Sequence, residues 1–210
     1  MIRQPPLRPL FSLVILNLLT AGAMAGEQLS FPETRHGHLT VTWPEESEEK
    51  PWPILYWFHG TNGRPNPGLG QRLAHYVIIG MSYLKADEYE PGTYGKSHWE
   101  LCLRARRELE ERGHVFGRNL VSGFSKGGWM SFYIGSEAHE DLHGVAIFGG
   151  GRDPNARTPS DFKHRDFAVL VGTGETDANF PNAQMAWRYF RKAGVEHTSI
   201  KVGSYSNGAT

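Results

Sequence analysis

Three stretches of this 210-residue chain carry residue types whose spacing suits chemistry. The first is Gly123-Phe124-Ser125-Lys126-Gly127, which fits G-x-S-x-G. A serine hydroxyl is a weak nucleophile until a base takes its proton, so it must stand where a base can reach it. A sharp turn from strand to helix provides that, and glycine on either side relieves the crowding. "RNLVSGFS" reads as the strand and "KGGWMSFYIGSEAH" as the helix. The helix start would also set the backbone N–H of Lys126 beside an oxyanion forming next to Ser125. The second stretch, "WFHGTNG", puts His59 and Gly60 at the end of an apolar strand. A loop of small residues there can aim another backbone N–H at the oxyanion, with Thr61 the first candidate and Asn62 the next. His59 is itself a candidate base, although it ends its strand where the oxyanion loop is wanted. The third, "GTGETDANF", follows another apolar strand. A carboxylate there could orient a histidine and stabilise its imidazolium form. Asp177 is the better candidate and Glu175 the second. The competing reading makes the acid a cap for the helix that follows.

Other motifs fit their contexts less well. "HEDLH", from His139 to His143, matches H-E-x-x-H, whose zinc chemistry needs both histidines on one helix face with the glutamate as base. Gly144 and the apolar run "VAIFGGG" follow at once, so the helix should be ending there. "HGH", with His36 and His38, could put two imidazoles on one strand face, but reads as a solvated strand start. "SDFK", residues 160–163, matches S-x-x-K inside a polar loop and reads as coincidence. Trp57, Trp99, Trp129 and Trp187 fall in strand or helix runs and are expected in the core.

The elements that must position these residues alternate along the chain. "QLSF" and "HLTVTW" alternate apolar and polar residues and read as short strands. "PILYWFHG" and "YVIIGMSYL" are buried strands by length and composition. "SHWELCLRARRELEERGH" reads as a helix, with Ser97 as its cap, Glu100 three residues on and Gly113 past its end. "HGVAIFGGG" and "FAVLVGTG" are further strands, "FPNAQMAWRYFRKAG" a helix, and "HTSIKVGSY" a last strand. Such alternation predicts a mostly parallel sheet covered by helices on both faces.

Composition sets the remaining bounds. Twenty-two basic and 22 acidic residues balance, which argues against a nucleic-acid footprint. Cys102 is the only cysteine, so no intramolecular disulfide can form. Residues 1–25 join a basic start (Arg3, Arg8), an apolar run from Leu10 to Leu19 and Ala23-Met24-Ala25. That order predicts an export leader cleaved after Ala25, leaving one domain over 26–210. Export without disulfides fits a bacterial periplasm or exterior, and no membrane association is expected after cleavage.

Taken in order, "FHGTNG", "GFSKGG" and "GTGETD" make the chain resemble the α/β-hydrolase family over nearly all of residues 26–210. It looks most like compact, lidless secreted esterases of the polyhydroxybutyrate-depolymerase and feruloyl-esterase kind. The resemblance implies Ser125 as nucleophile, Asp177 as the acid, and the Lys126 and Thr61 amides as oxyanion donors. It implies a small-molecule or polymer ester as substrate, and neither metal nor organic cofactor. The pattern breaks at the end. The family's histidine follows the last strand, but "SNGAT" places Thr210 there. His197, the only histidine after Asp177, precedes that strand. The expectation is therefore a weak or inactive serine esterase: truncated, an inactive relative kept as a binding protein, or served by a histidine from elsewhere.

Overall fold

The computed structural model describes residues 27–44, 51–66, 75–85, 94–137, 140–152, 162 and 166–203. The expected leader, the "SDFK" stretch other than Phe162, and the "SNGAT" end lie outside them. Among the described residues eight strands form one sheet: β1 (Glu27–Ser30), β2 (His38–Thr42), β3 (Trp52–Phe58), β4 (Val77–Met81), β5 (Phe116–Phe124), β6 (Leu142–Phe148), β7 (Ala168–Gly174) and β8 (His197–Gly203). Their spatial order is β1-β2-β4-β3-β5-β6-β7-β8. β1, β2 and β4 pair antiparallel, and every pair from β4 to β8 is parallel. All five residues of β4 are buried, which is why that strand reads as an unbroken apolar run.

Among the described residues three helices accompany the sheet: α1 (Tyr94–Glu111), α2 (Lys126–Ser136) and α3 (Phe180–Lys192). α1 buries Trp99, Leu101, Cys102, Ala105 and Leu109, the three-and-four spacing of an amphipathic helix. It begins a turn earlier than expected, so Ser97 lies exposed inside it and is not its cap. Tertiary contacts account for the extra turn. The Tyr94 ring packs against Tyr133 (5.8 Å) and His98 (4.9 Å), and the Tyr94 carbonyl lies 2.9 Å from His98 Nδ1. α2 joins the other two helices. Phe132 meets Tyr189 and Phe190 of α3 at 5.2 and 5.8 Å, and Gly95 of α1 lies hard against the Tyr133 backbone.

Successive strand residues point to opposite faces. Ile54, Tyr56 and Phe58 enter the large core shared with the three helices, whereas Trp57 joins Phe124, Ala146, Phe148 and Leu170 in a smaller cluster on the other face. Among the described residues no helix covers that second face. The parallel register aligns the strand ends: Phe58 with Gly123, Phe124 with Phe148, Phe148 with Gly172, and Gly174 with Gly203. The carboxyl ends of β3 and β5 to β8 therefore share one edge, where open α/β sheets bind their ligands. No helix among the described residues is long and apolar enough to cross a membrane.

Candidate active site

Ser125 sits between β5 and α2 with φ 54° and ψ −116°. Apart from Asn62 it is the only non-glycine residue with positive φ among the described residues. That conformation strains an L residue, by roughly 1–2 kcal/mol. The surroundings enforce it. The Ser125 N–H donates to the Phe148 carbonyl (2.8 Å), and its own carbonyl accepts from Trp129 N (3.1 Å), opening α2. Each neighbouring glycine is required by contact. A Cβ on Gly123 would fall 2.5 Å from the Gly127 backbone, and one on Gly127 only 1.9 Å from the Phe58 carbonyl oxygen. A Cβ on Gly128 would meet the Phe148 carbonyl oxygen at 2.5 Å. The glycines of the motif thus let α2 start directly against the ends of β3 and β6.

The loop after β3 comes to the same place. A Cβ on Gly60 would be 3.4 Å from Ser125 Cβ, ordinary contact. Gly63 N donates to the Gly60 carbonyl (3.1 Å), and Asn62 takes φ 62°, closing a tight turn through exposed Thr61. Lys126 is the first residue of α2, and its ammonium lies over the Tyr83 ring at 4.1 Å from the centroid.

Asp177 follows β7 and is 4% exposed, whereas Glu175 is exposed. Asp177 Oδ1 accepts from Asn179 N (2.8 Å), and Oδ2 is buried with no hydrogen-bond partner. Asp177 is not the cap of α3, which is Asn179 and makes no side-chain cap bond; one Asp177 oxygen closes a turn ahead of the helix and the other is left over. A buried carboxylate oxygen without a partner costs free energy. Asn179, which the sequence did not single out, ties this loop to the elbow: its Nδ2 donates to the Gly149 carbonyl (3.0 Å), one residue past Phe148. Short-range pattern carries no signal for it, because the bond spans thirty residues.

The histidines are distributed unevenly. His59 is buried, and its Nδ1 lies 2.6 Å from the Gly60 carbonyl. A carbonyl only accepts, so Nδ1 carries the proton and Nε2 a lone pair. That Nε2 is buried without a partner. Desolvation holds the His59 pKa below its ordinary 6.5, with the charges of His36, Lys126 and Arg35 acting the same way and the Gly60 bond opposing them. The ring packs on Tyr83 (4.9 Å) and His36 (5.2 Å), which belong to the β2 and β4 side of β3. "HGH" does open a strand, since His38 is the first residue of β2, but it is only partly solvated. His36 precedes β2, both imidazoles are half-buried, and Ser82 Oγ lies 2.8 Å from His36 Nδ1. His197 is exposed and pairs with Ala168 at the opposite end of the sheet from Ser125. His139 lies outside the described residues. Glu140 is in a turn and His143 in β6, so Glu140 and His143 share no helix. Among the described residues no group of three or more His, Cys, Asp or Glu is arranged to hold a metal ion, and no imidazole is hydrogen-bonded to Ser125 Oγ or Asp177 Oδ2.

No family model matches the sequence, and no curated protein matches it. Solved structures do. A hyperthermophilic esterase from the archaeon Pyrobaculum calidifontis superposes with a TM-score of 0.64 at 15% identity, over 94% of this chain and 80% of its own. A CE1 ferulic acid esterase from the anaerobic fungus Anaeromyces mucronatus gives 0.60 at 15% identity, over 90% and 85%. A thermostable esterase gives 0.59 at 16% identity, over 88% of this chain, which spans only 55% of that protein's length. The chain shares the α/β-hydrolase fold of these structures, as the motifs implied.

Proposed function

We propose that the protein is an exported serine hydrolase that acts on carboxylic esters. Its leader, residues 1–25, is removed, and residues 26–210 act as one domain. The observation that carries this reading is the positive φ of Ser125, a strained serine held by backbone contacts at the mouth of the sheet. Strain of that kind persists where the surroundings over-determine it, as they do at functional sites. Ser125 Oγ would attack the ester carbonyl carbon, the C–O bond to the alcohol would break, and the serine proton would leave on the alcohol oxygen. Water would then cleave the acyl-enzyme to the acid. The Lys126 and Thr61 amides would receive the oxyanion. Asp177, through Oδ2, would orient and stabilise a histidine.

Among the described residues no imidazole is hydrogen-bonded to Ser125 Oγ or Asp177 Oδ2, and we include in this proposal a chain that works without its triad base. Loss of a triad member leaves oxyanion stabilisation and binding, and costs on the order of 10⁴ to 10⁶ in rate. The test is turnover of 4-nitrophenyl butyrate by the purified chain and by Ser125→Ala. Slow turnover that disappears in Ser125→Ala supports the reading. Turnover that survives the substitution refutes it, and saturable ester binding with none supports the binding-protein alternative. Fast Ser125-dependent turnover would refute the absence of a working base, and His59→Gln would then be the first variant to make.

A further inference from the structure

Tyr83 is buried beside the elbow, and none of the motifs accounts for it. It follows β4, and its backbone is held: its carbonyl accepts from Arg35 N (2.8 Å), and the next residue, Leu84, bridges to Thr34. Its hydroxyl donates to the His59 carbonyl at 2.5 Å. Its ring meets the His59 ring edge-on at 4.9 Å and has the Lys126 ammonium 4.1 Å from its centroid. The same His59 carbonyl faces the start of α2, since a Cβ on Gly127 would lie 3.0 Å from its oxygen. One side chain therefore touches both segments that bear the amides assigned to the oxyanion, the turn after β3 and the first residues of α2.

Packing alone would be met by phenylalanine; the hydroxyl adds direction. A trans peptide is planar with its C=O and N–H opposed, so a bond that aims a carbonyl also aims the next residue's N–H. The Tyr83 hydroxyl aims the His59 carbonyl, and with it the Gly60 N–H. The next carbonyl, of Gly60, accepts from His59 Nδ1 (2.6 Å) and Gly63 N (3.1 Å), and so aims the Thr61 N–H. Tyr83 supports that second plane too, because the His59 ring leans on it. Oxyanion donors work by standing in place before the reaction, so their supports matter. We propose that Tyr83 is a positioning residue: its hydroxyl sets where the Thr61 amide stands relative to the Lys126 amide. This rests on the esterase reading above and adds to it a residue that acts through the turn after β3.

The test is Tyr83→Phe, which keeps the ring. Its control is Tyr189→Phe, which takes another buried tyrosine hydroxyl from a backbone carbonyl, that of Ser136 (3.3 Å), at the far end of α2 from Ser125. Turnover of 4-nitrophenyl butyrate is measured over a range of concentrations, with the folded fraction read by circular dichroism. Amide hydrogen exchange is followed on peptides covering residues 57–66 and α3. In Tyr83→Phe, kcat should fall about tenfold, short of the roughly 10²–10³ lost with a whole donor, while KM stays within about twofold. Exchange in 57–66 should quicken by about tenfold while α3 keeps the parent's rate. Tyr189→Phe should leave kcat and exchange in 57–66 within about twofold of the parent. Exchange that quickens in 57–66 and α3 alike marks a merely structural role and overturns the proposal. So does a kcat within about twofold of the parent, a change confined to KM, or a fall in kcat with 57–66 unmoved. If none of the proteins turns over the ester, selective loosening of 57–66 keeps the positioning role and sinks the esterase reading, and no loosening sinks both. Ser125-dependent turnover that Tyr83→Phe leaves unchanged sinks the positioning role alone.

Discussion

Gly127→Ala adds a single methyl group at the tightest point of the elbow. The new Cβ would stand 1.9 Å from the Phe58 carbonyl oxygen, 2.6 Å from its carbon and 3.0 Å from the His59 carbonyl oxygen. All three are backbone atoms at the end of β3, so no side chain can turn aside. Relief requires α2 to retreat from β3 until the contact reaches the ordinary 3.4–4 Å. The retreat would break the fit of α2 against Phe148 and loosen the turn that holds Ser125. Overpacking costs about 1–3 kcal/mol when side chains can adjust, and more when they cannot. Alanine returns about 1 kcal/mol through helix propensity. A net loss of roughly 3 kcal/mol is expected, which for a domain of this size lowers Tm by about 6–12 °C. Gly113→Ala is the control: its site has φ 91° and nothing within 4 Å, so only the backbone penalty of about 1 kcal/mol applies. Thermal unfolding followed by circular dichroism measures both. A Gly127→Ala protein melting within about 2 °C of the parent, or above Gly113→Ala, would refute the packing argument and with it the reason for the second glycine of the motif.

Three further outcomes are expected, two from the geometry and one from the sequence of the leader. Ser125→Gly should raise stability by about 1 kcal/mol by releasing the positive φ while abolishing turnover, measured by urea unfolding beside the ester assay. His36 and His59 both titrate below 6.5 in the folded protein, so the unfolded chain binds more protons between their folded pKa values and 6.5. Stability should be full above that value and fall as pH drops through the window. The fall should be shallower in His36→Gln/His59→Gln, read by urea unfolding at a series of pH values, and an unchanged slope would contradict the assignment. N-terminal sequencing of exported protein should begin at Gly26, and soluble exported protein retaining Met1 would contradict the leader.

Much of this arrangement is legible in the sequence because it is local. Ser125 and its glycines occupy one turn, and the strand before and helix after each announce themselves by period. The burial of Asp177 is legible by position, since it follows the end of a buried strand. What could not be read depends on which strands become neighbours. The contact of His36 with His59 requires β2 beside β4 and β4 beside β3, an order the chain does not follow. Asn179 acts through a bond to Gly149 that only the parallel register brings within reach. Ser97 was misplaced for a related reason: it has a cap's chemistry, but the packing of Tyr94 on Tyr133 carries α1 past it.

The measurement that bears most directly on the central claim is covalent labelling of the purified chain with a fluorophosphonate, the adduct being located by mass spectrometry. Attack by Ser125 Oγ displaces fluoride and leaves a phosphonylated serine. One adduct is expected, on the peptide containing Ser125 and absent from Ser125→Ala. Labelling that persists in Ser125→Ala, or that falls on another residue of the native chain, would contradict it.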